Sequence, residues 1–350
     1  MIREVGAIAH DWTDVMWSIR RRRSMAYLGW VNRGNLGDES MFAAVRHVLG
    51  GDLQRAPLHK AGRFLASGGS CETLIVGGGT LLGRPEWTER VLGAQACLNP
   101  SRTVVVGTGV EDPAFGSDRG TTSSSAFNDV AEVLGECSFV GVRGPHSQQT
   151  LTQLGVSSRV IGDPALAFSA TASTVSTPSR TVLINLAGVA DGLVSRRQKL
   201  ADAVWEAAEK LESKGWTIRF FAMEKADEEF MRLALPKSAD ILAWSPSVTR
   251  MIECIDNCSA VLSERLHGGI LAAARNRSFV QISYKPKVFD FLDSIGAGDH
   301  AFDASEVDAA NIVERVEQCV RTPLSADVWE SVQMRARDFI DGAREALEST

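Results

Sequence analysis

The sequence predicts an α/β protein with two Rossmann-like domains whose parallel sheets face a cleft. Short Val/Ile/Leu-rich runs alternate with helical stretches, the rhythm of parallel α/β units. That rhythm stops at a Ser/Thr-rich segment, "SATASTVSTPSR", and then restarts. With 350 residues, 44% of them hydrophobic, the chain is long enough for two cores of ordinary size.

An arm (1–25) precedes the first domain (26–168), whose expected strands are "AYLGWV" (26–31), "TLIVGG" (73–78), "TVVVGTGV" (103–110), "SFVGVR" (138–143) and "SRVIGD" (158–163). Near-continuous apolar runs of this kind suit strands covered on both faces. A helix follows the first strand, with Met41, Phe42, Val45, Val48 and Leu49 on one stripe and Gly50-Gly51 at its end. Another is expected from Pro145 to Leu154, with Pro in its first turn and Gly155 just past its end. After the linker (169–180) the second domain (181–323) offers "TVLINLAG" (181–188), a helix near 196–214, "WTIRFFAM" (216–223), "DILAW" (240–244), "SAVLS" (259–263), a helix near 268–276 and "SFVQISY" (278–284). Helices at 304–322 and 325–348 complete the chain, the last forming a closing segment (324–350) with Val328, Val332, Phe339, Ile340, Ala343 and Leu347 on one stripe.

Composition excludes several classes. A net charge of −6 carries no general nucleic-acid footprint, and 23% charged residues with modest Gly and Pro mark neither disorder nor a fibre. No apolar run reaches the roughly 18–20 residues a membrane span needs. Asp11 and Asp14 interrupt any signal-peptide core, so a cytoplasmic protein is expected. The cluster Arg20-Arg23, behind Trp12, Met16, Trp17 and Ile19, reads either as part of an arm packed on its own domain or as a peripheral contact with an acidic membrane. The 6 cysteines form no C-x-x-C pair; Cys254 and Cys258, four apart, are weak grounds for a metal site, and buried thiols in a reducing compartment are expected.

In parallel sheets ligands bind beyond the carboxyl ends of the strands, so the loops there carry the chemistry. "NRGNLGDES" lacks both the G-x-G-x-x-G spacing and a P-loop lysine. Asp38 is placed to cap the following helix, and acids at a helix N-terminus would repel a phosphate. Asp38 and Glu39 therefore read as a cap, or as groups that recognise hydroxyls or move protons. "VGGGTLLG" (76–83) puts Gly78 and Gly79 where backbone N–H groups approach a ligand or simply make a tight turn. Arg143, between a strand end and a helix N-terminus, is a candidate fork for a carboxylate or phosphate; the neighbouring His146 is a weaker candidate. In "LSERLHGGILAAARN", Arg265, His267 and a helix N-terminus share a small volume, and Lys285 and Lys287 follow the next strand. One anionic substrate can use all of them.

These loops together resemble the polysaccharide pyruvyl transferase family. The motifs are "GNLGDE", "IVGGGTLL", "VRGPHSQQTLTQLGV" leading into "VIGDPAL", and "SERLHGGILAAARNRSFVQISYKPKVFDFLDSIG", across roughly 26–296. No single motif decides; the ordered set is the specific signal. The resemblance implies a glycosyltransferase-B-like fold. It implies transfer of a pyruvyl group from phosphoenolpyruvate onto two hydroxyls of a sugar, as a ketal, in a cell-surface glycan or its precursor. Phosphoenolpyruvate is the donor substrate, and the steps call for no metal or other cofactor. With the first domain as acceptor side and the second as donor side, Arg143, Arg265, Lys285 and Lys287 are assigned to the donor's anions. His267 is assigned to general acid work or the leaving phosphate. Asp38 or Glu39 is assigned to acceptor hydroxyls, with Asn35, Gly78 and Gly79 among the substrate contacts. The basic arm and terminal helices lie outside the matching stretch. Polymeric, lipid-linked and small-molecule acceptors all stay open.

Two rivals remain: a nucleotide-sugar glycosyltransferase of similar fold, for which Glu264 alone is a candidate ribose holder, and a glycan-binding module without chemistry. The polar segment 111–127 reads as a loop or lid.

Overall fold

The computed structural model describes residues 23–50, 52–58, 70–111, 124–171, 179–188, 194–283, 286–304, 307–321 and 324–348. They divide into two compact units. The first holds the chain up to Arg33, Asp38–Pro164 and the chain from Arg335; the second holds Gly34–Gly37 and Ala165–Met334. The side chains at 20–23, Lys285, the 112–123 part of the polar loop and the 172–178 part of the linker lie outside the described residues.

The first unit's strands and helices are β1 (Arg23–Leu28), α1 (Leu36–Leu49), β2 (Leu53–Arg55), β3 (Cys71–Gly77), β4 (Thr80–Leu82), α2 (Pro85–Leu98), β5 (Arg102–Val110), α3 (Ser124–Gly135), β6 (Phe139–Val142), α4 (Pro145–Gln153) and β7 (Arg159–Val160). The strands pair in parallel in the order β2-β1-β3-β5-β6-β7, with β4 beside β5. β3 and β5 lie at the centre, in register as Ile75↔Val104 and Val76↔Val105. All four of those side chains are buried, as a sheet covered on both faces requires. Met41 and Val45 carry the buried stripe of α1, which ends at Gly50 with φ +93°. Trp87 and Val91 of α2 and Val130 and Leu134 of α3 pack onto Leu74, Val76 and Val105.

The second unit contains a 3-10 turn (Pro164–Thr171, from Ala165 onward), β8 (Thr181–Asn185), α5 (Val194–Ser213), β9 (Thr217–Phe220), α6 (Lys225–Ala234), α7 (Val248–Asp256), β10 (Ala260–Ser263), α8 (Leu266–Ala274), β11 (Ser278–Ser283), α9 (Lys287–Ser294), β12 (Ala301–Asp303) and α10 (Ala309–Arg321). Helix α11 (Ala326–Glu348) starts here and ends in the first unit. The sheet order is β12-β11-β10-β8-β9, again all parallel. Phe220, Phe279 and Phe291 are essentially inaccessible to solvent; burying each contributes about 1.5–3 kcal/mol relative to exposure.

Several elements depart from expectation. "DILAW" is not a strand: Asp240 O and Leu242 N–H each make one backbone bond to Phe220, and the chain then leaves the edge of β9. "SRVIGD" is a strand only over Arg159–Val160, because Gly162 turns the chain with φ +89°. The sequence reading did not resolve α2, α3, α6, α7 and α9 or the three-residue strands β2, β4 and β12; the first residues of α3, 124–127, belong to the segment read as a loop or lid. None of the described helices is long and apolar enough to cross a membrane.

Both sheets reverse direction of growth beside their first strand. The switch lies between β1 and β3 in the first sheet and between β8 and β10 in the second. Crevices beyond the carboxyl ends at such points are where open α/β sheets hold ligands.

Candidate active site

Asn185 ends β8, and Arg265 follows β10, so the two flank the second unit's switch point. The Arg265 N–H donates to Asn185 Oδ1 at 3.0 Å. Its guanidinium turns onto Asp227: Nη2 lies 2.6 Å from Oδ1, and Nε lies 3.1 Å from Oδ1 and 3.2 Å from Oδ2. Asp227 also accepts from the N–H groups of Gly188 (2.7 Å), Met223 (3.1 Å) and Glu224 (3.2 Å) and from Asn185 Nδ2 (3.3 Å). Its side chain is 0% exposed, and this donor set with the opposite charge is what a buried carboxylate needs. Glu224 Oε2 reaches the same Nη2 at 3.0 Å. The sequence presents Arg265 as a cation for the donor's anions; in the structure Asp227 and Glu224 already hold it.

Asn35 joins this cluster. Its Nδ2 donates to Glu224 Oε1 at 2.6 Å, and Leu36 N–H donates to Met223 O at 2.8 Å. Its Oδ1 accepts from Gly37 N–H at 2.9 Å. That bond is the cap of α1, which corrects the expectation that Asp38 caps it. The helix begins at Leu36, so Asn35 holds the cap position and Asp38 falls inside the first turn, where its charge meets the dipole. Gly37 faces His267: a Cβ there would collide with Nδ1 and lie 2.7 Å from Cγ. The second unit thus brings together Asn35, Gly37, Arg265 and His267.

Helix α8 can start this close to the sheet because its first turn carries Gly268 and Gly269. They lie over Ser263 and Gln281, which share one register row with Asn185. Beside them Glu264 is 2% exposed. It accepts from Ala187 N–H at 2.8 Å and pairs with Arg197 through both oxygens.

At the first unit's switch point Tyr27 packs against the glycines at the ends of β1 and β3. Its ring and hydroxyl abut Gly29, Gly77 and Gly78, and a Cβ at Gly78 would lie 2.7 Å from the hydroxyl. Gly78 and Gly79 have φ of +76° and +71°, which turns the chain sharply after β3. This packing explains why the loop is glycine-rich without invoking a ligand. Asp38 lies beside Gly79, and Gly79 N–H points to Met41 Sδ at 3.1 Å. Burial raises the Tyr27 phenol well above its ordinary value, and the charges of Asp38, Asp163 and Glu39 add to the effect, so the phenol keeps its proton. Burial also raises the Glu39 carboxyl, although Asn32 N–H donates to it at 2.5 Å. Arg143 is 1% exposed. Its guanidinium packs on Gly109, and Nη2 reaches Thr80 Oγ1 at 3.4 Å. Arg143, through Thr80, and Asp38, beside Gly79, therefore adjoin the loop of Gly78 and Gly79.

Lys287 opens α9, half-buried, and His146 is exposed on α4. Asp227, Glu224, Asn185, Arg197 and Tyr27 were missed in the sequence. The strand-end position of Asn185 was a usable signal. Asp227 and Glu224 sit in "MEKADEE", which reads as a solvated acidic turn until β8 and α8 fold against it.

The model of the family described as polysaccharide pyruvyl transferase matches residues 35–286. No curated protein matches the chain. Among solved structures, a UDP-GlcNAc 2-epimerase from Neisseria meningitidis bound to UDP-GlcNAc superposes with a TM-score of 0.58 at 9% identity, over 94% of this chain and 99% of that one. A UDP-N-acetylglucosamine 2-epimerase from Rickettsia bellii gives 0.58 at 10% identity, over 93% and 97%. The glycotransferase of kitacinnamycin gives 0.53 at 11%, over 93% and 97%. At such identities the likeness is one of fold, which is glycosyltransferase-B-like.

Proposed function

The chain belongs to the polysaccharide pyruvyl transferase family, and from that premise we propose that it transfers the pyruvyl group of phosphoenolpyruvate to a sugar. The acceptor offers two hydroxyls, in a cell-surface glycan or its precursor, and the product is a pyruvate ketal. The observation that carries this reading is the placement of Arg265 and His267 at the carboxyl end of β10, beside Asn35 and Gly37 of "GNLG".

The chemistry needs a proton at the methylene carbon of the donor, which leaves an oxocarbenium-like centre. One sugar hydroxyl forms a C–O bond there, the C–O bond to phosphate breaks, and the second hydroxyl closes the ring. His267 delivers the proton or contacts the departing phosphate. Arg265 meets donor negative charge, with Lys285, Lys287 and Arg143 as further cations in this assignment. Asp38 or Glu39 orients the acceptor hydroxyls and takes a proton. Gly78 and Gly79 shape the loop beside Asp38.

A nucleotide-sugar donor would need an acid for the ribose. Glu264, the residue placed for that, is already bound by Arg197 and Ala187. Calorimetric titration with phosphoenolpyruvate and with UDP-sugars separates the readings. Binding of phosphoenolpyruvate alone is expected; binding of the sugar nucleotide alone would replace the proposal.

A further inference from the structure

Among the described residues, Asp227 and Glu224 are carboxylate partners of Arg265 that differ in kind. Asp227 takes the Nε–Nη2 edge of the guanidinium, is fully buried and is held by the backbone of Gly188, Met223 and Glu224. It cannot leave without stranding those donors. Glu224 reaches Nη2; its side chain also belongs to the capping box of α6, facing the Asp227 N–H, and is 29% exposed. Its other oxygen is bound by the Asn35 amide.

A planar guanidinium holds a carboxylate best through two parallel N–H bonds along one edge. With Asp227 on the Nε–Nη2 edge, a second carboxylate must come along Nη1–Nη2. Glu224 Oε2 already lies on that Nη2. Asp227 and Glu224 bring two carboxylates to one guanidinium, so Glu224 opposes a further anion at that edge.

We propose that Glu224 competes with the donor's carboxylate for Arg265, so that donor binding exchanges one carboxylate for the other while Asp227 keeps the guanidinium in place. Glu224 is thereby a residue that sets donor affinity without touching the reacting atoms. The exchange also releases the Asn35 amide, whose carbonyl caps α1 through Gly37 beside His267. The inference rests on the phosphoenolpyruvate reading of this site.

Glu224→Gln tests it. Glutamine keeps an oxygen for the Asn35 amide and removes the charge that competes for Arg265. The full chain and the variant are titrated calorimetrically with phosphoenolpyruvate, with melting temperatures recorded for both. Donor binding is expected to tighten about 2- to 5-fold, the range set by losing a partly exposed ionic competitor. Glu224→Ala, which also removes the competitor, serves if the Gln variant is unstable. Wild-type binding that stays equal or weakens in the variant overturns the exchange and leaves the reading of the site standing. Absence of binding to either protein overturns the reading, and the exchange with it.

Discussion

Gly37 lies against the imidazole of His267 so closely that a Cβ on Gly37 would collide with Nδ1. Both the first turn of α1 and the first turn of α8 meet there. Gly37→Ala is therefore expected to push His267 out of place. Alanine is also the better helix former, by about 0.5–1 kcal/mol. The variant should melt within a few degrees of wild type and lose about 10- to 100-fold in turnover, a cost typical of ångström-scale misplacement. Thermal melts and phosphate-release rates measured together check it; unchanged turnover would remove His267 from the chemistry.

Arg265→Lys tests whether the fork matters or only the charge. Lysine offers a point charge and cannot hold the two Asp227 oxygens from Nε and Nη2. Donor binding should weaken at least about 10-fold, matching a loss of bidentate geometry. Asp227→Asn should be worse for the fold, about 3 kcal/mol or more in a denaturant titration, because Arg265 loses its buried carboxylate and one amide oxygen cannot accept from the N–H groups of Gly188, Met223 and Glu224 together.

Glu39 gives a pH-dependent expectation. Its folded pKa is raised above the ordinary 4.5, chiefly by burial. A carboxyl shifted this way supports the fold when neutral; that contribution is full below about pH 4.5 and fades as pH rises through the folded pKa. Glu39→Gln should then raise the melting temperature at pH 7 to 8, with the gap closing toward pH 4. If Glu39 also handles acceptor hydroxyls, the same variant loses turnover while gaining stability.

Burial pushes the thiols of Cys137 and Cys258 up to about 12 and that of Cys319 up to about 11. At pH 8 almost none of each is thiolate. Ellman's reagent should label these sites slowly in the native protein and rapidly in denaturant, with peptide mapping to assign them.

The α/β alternation and the parallel strands were legible because buried strands are long apolar runs. The motif loops were legible because they follow strand ends. Elements specified by partners rather than by their own pattern were not. β4 depends on the turn at Gly78 and Gly79, and "DILAW" fails as a strand because only Asp240 and Leu242 bond to the edge of β9. In the candidate site, Arg265 and His267 stood out by type and position. The engagement of Arg265 by Asp227 and Glu224 did not, since carboxylates in an acidic turn look solvated until the chain folds over them. The capping of α1 by Asn35 rather than Asp38 was hidden for the same reason: a one-turn shift in helix start changes which side chain meets the free N–H groups.

The most direct measurement is turnover of phosphoenolpyruvate with a hydroxyl-rich glycan acceptor by the purified full chain. Phosphate release is followed continuously, and the product is read by NMR for the methyl group of a pyruvate ketal. Pyruvyl transfer predicts stoichiometric phosphate and ketal with wild type, and loss of both in the folded fraction of Arg265→Ala and of His267→Ala. Phosphate and ketal formed at wild-type rates by both variants would contradict the assignment of Arg265 and His267 to the chemistry.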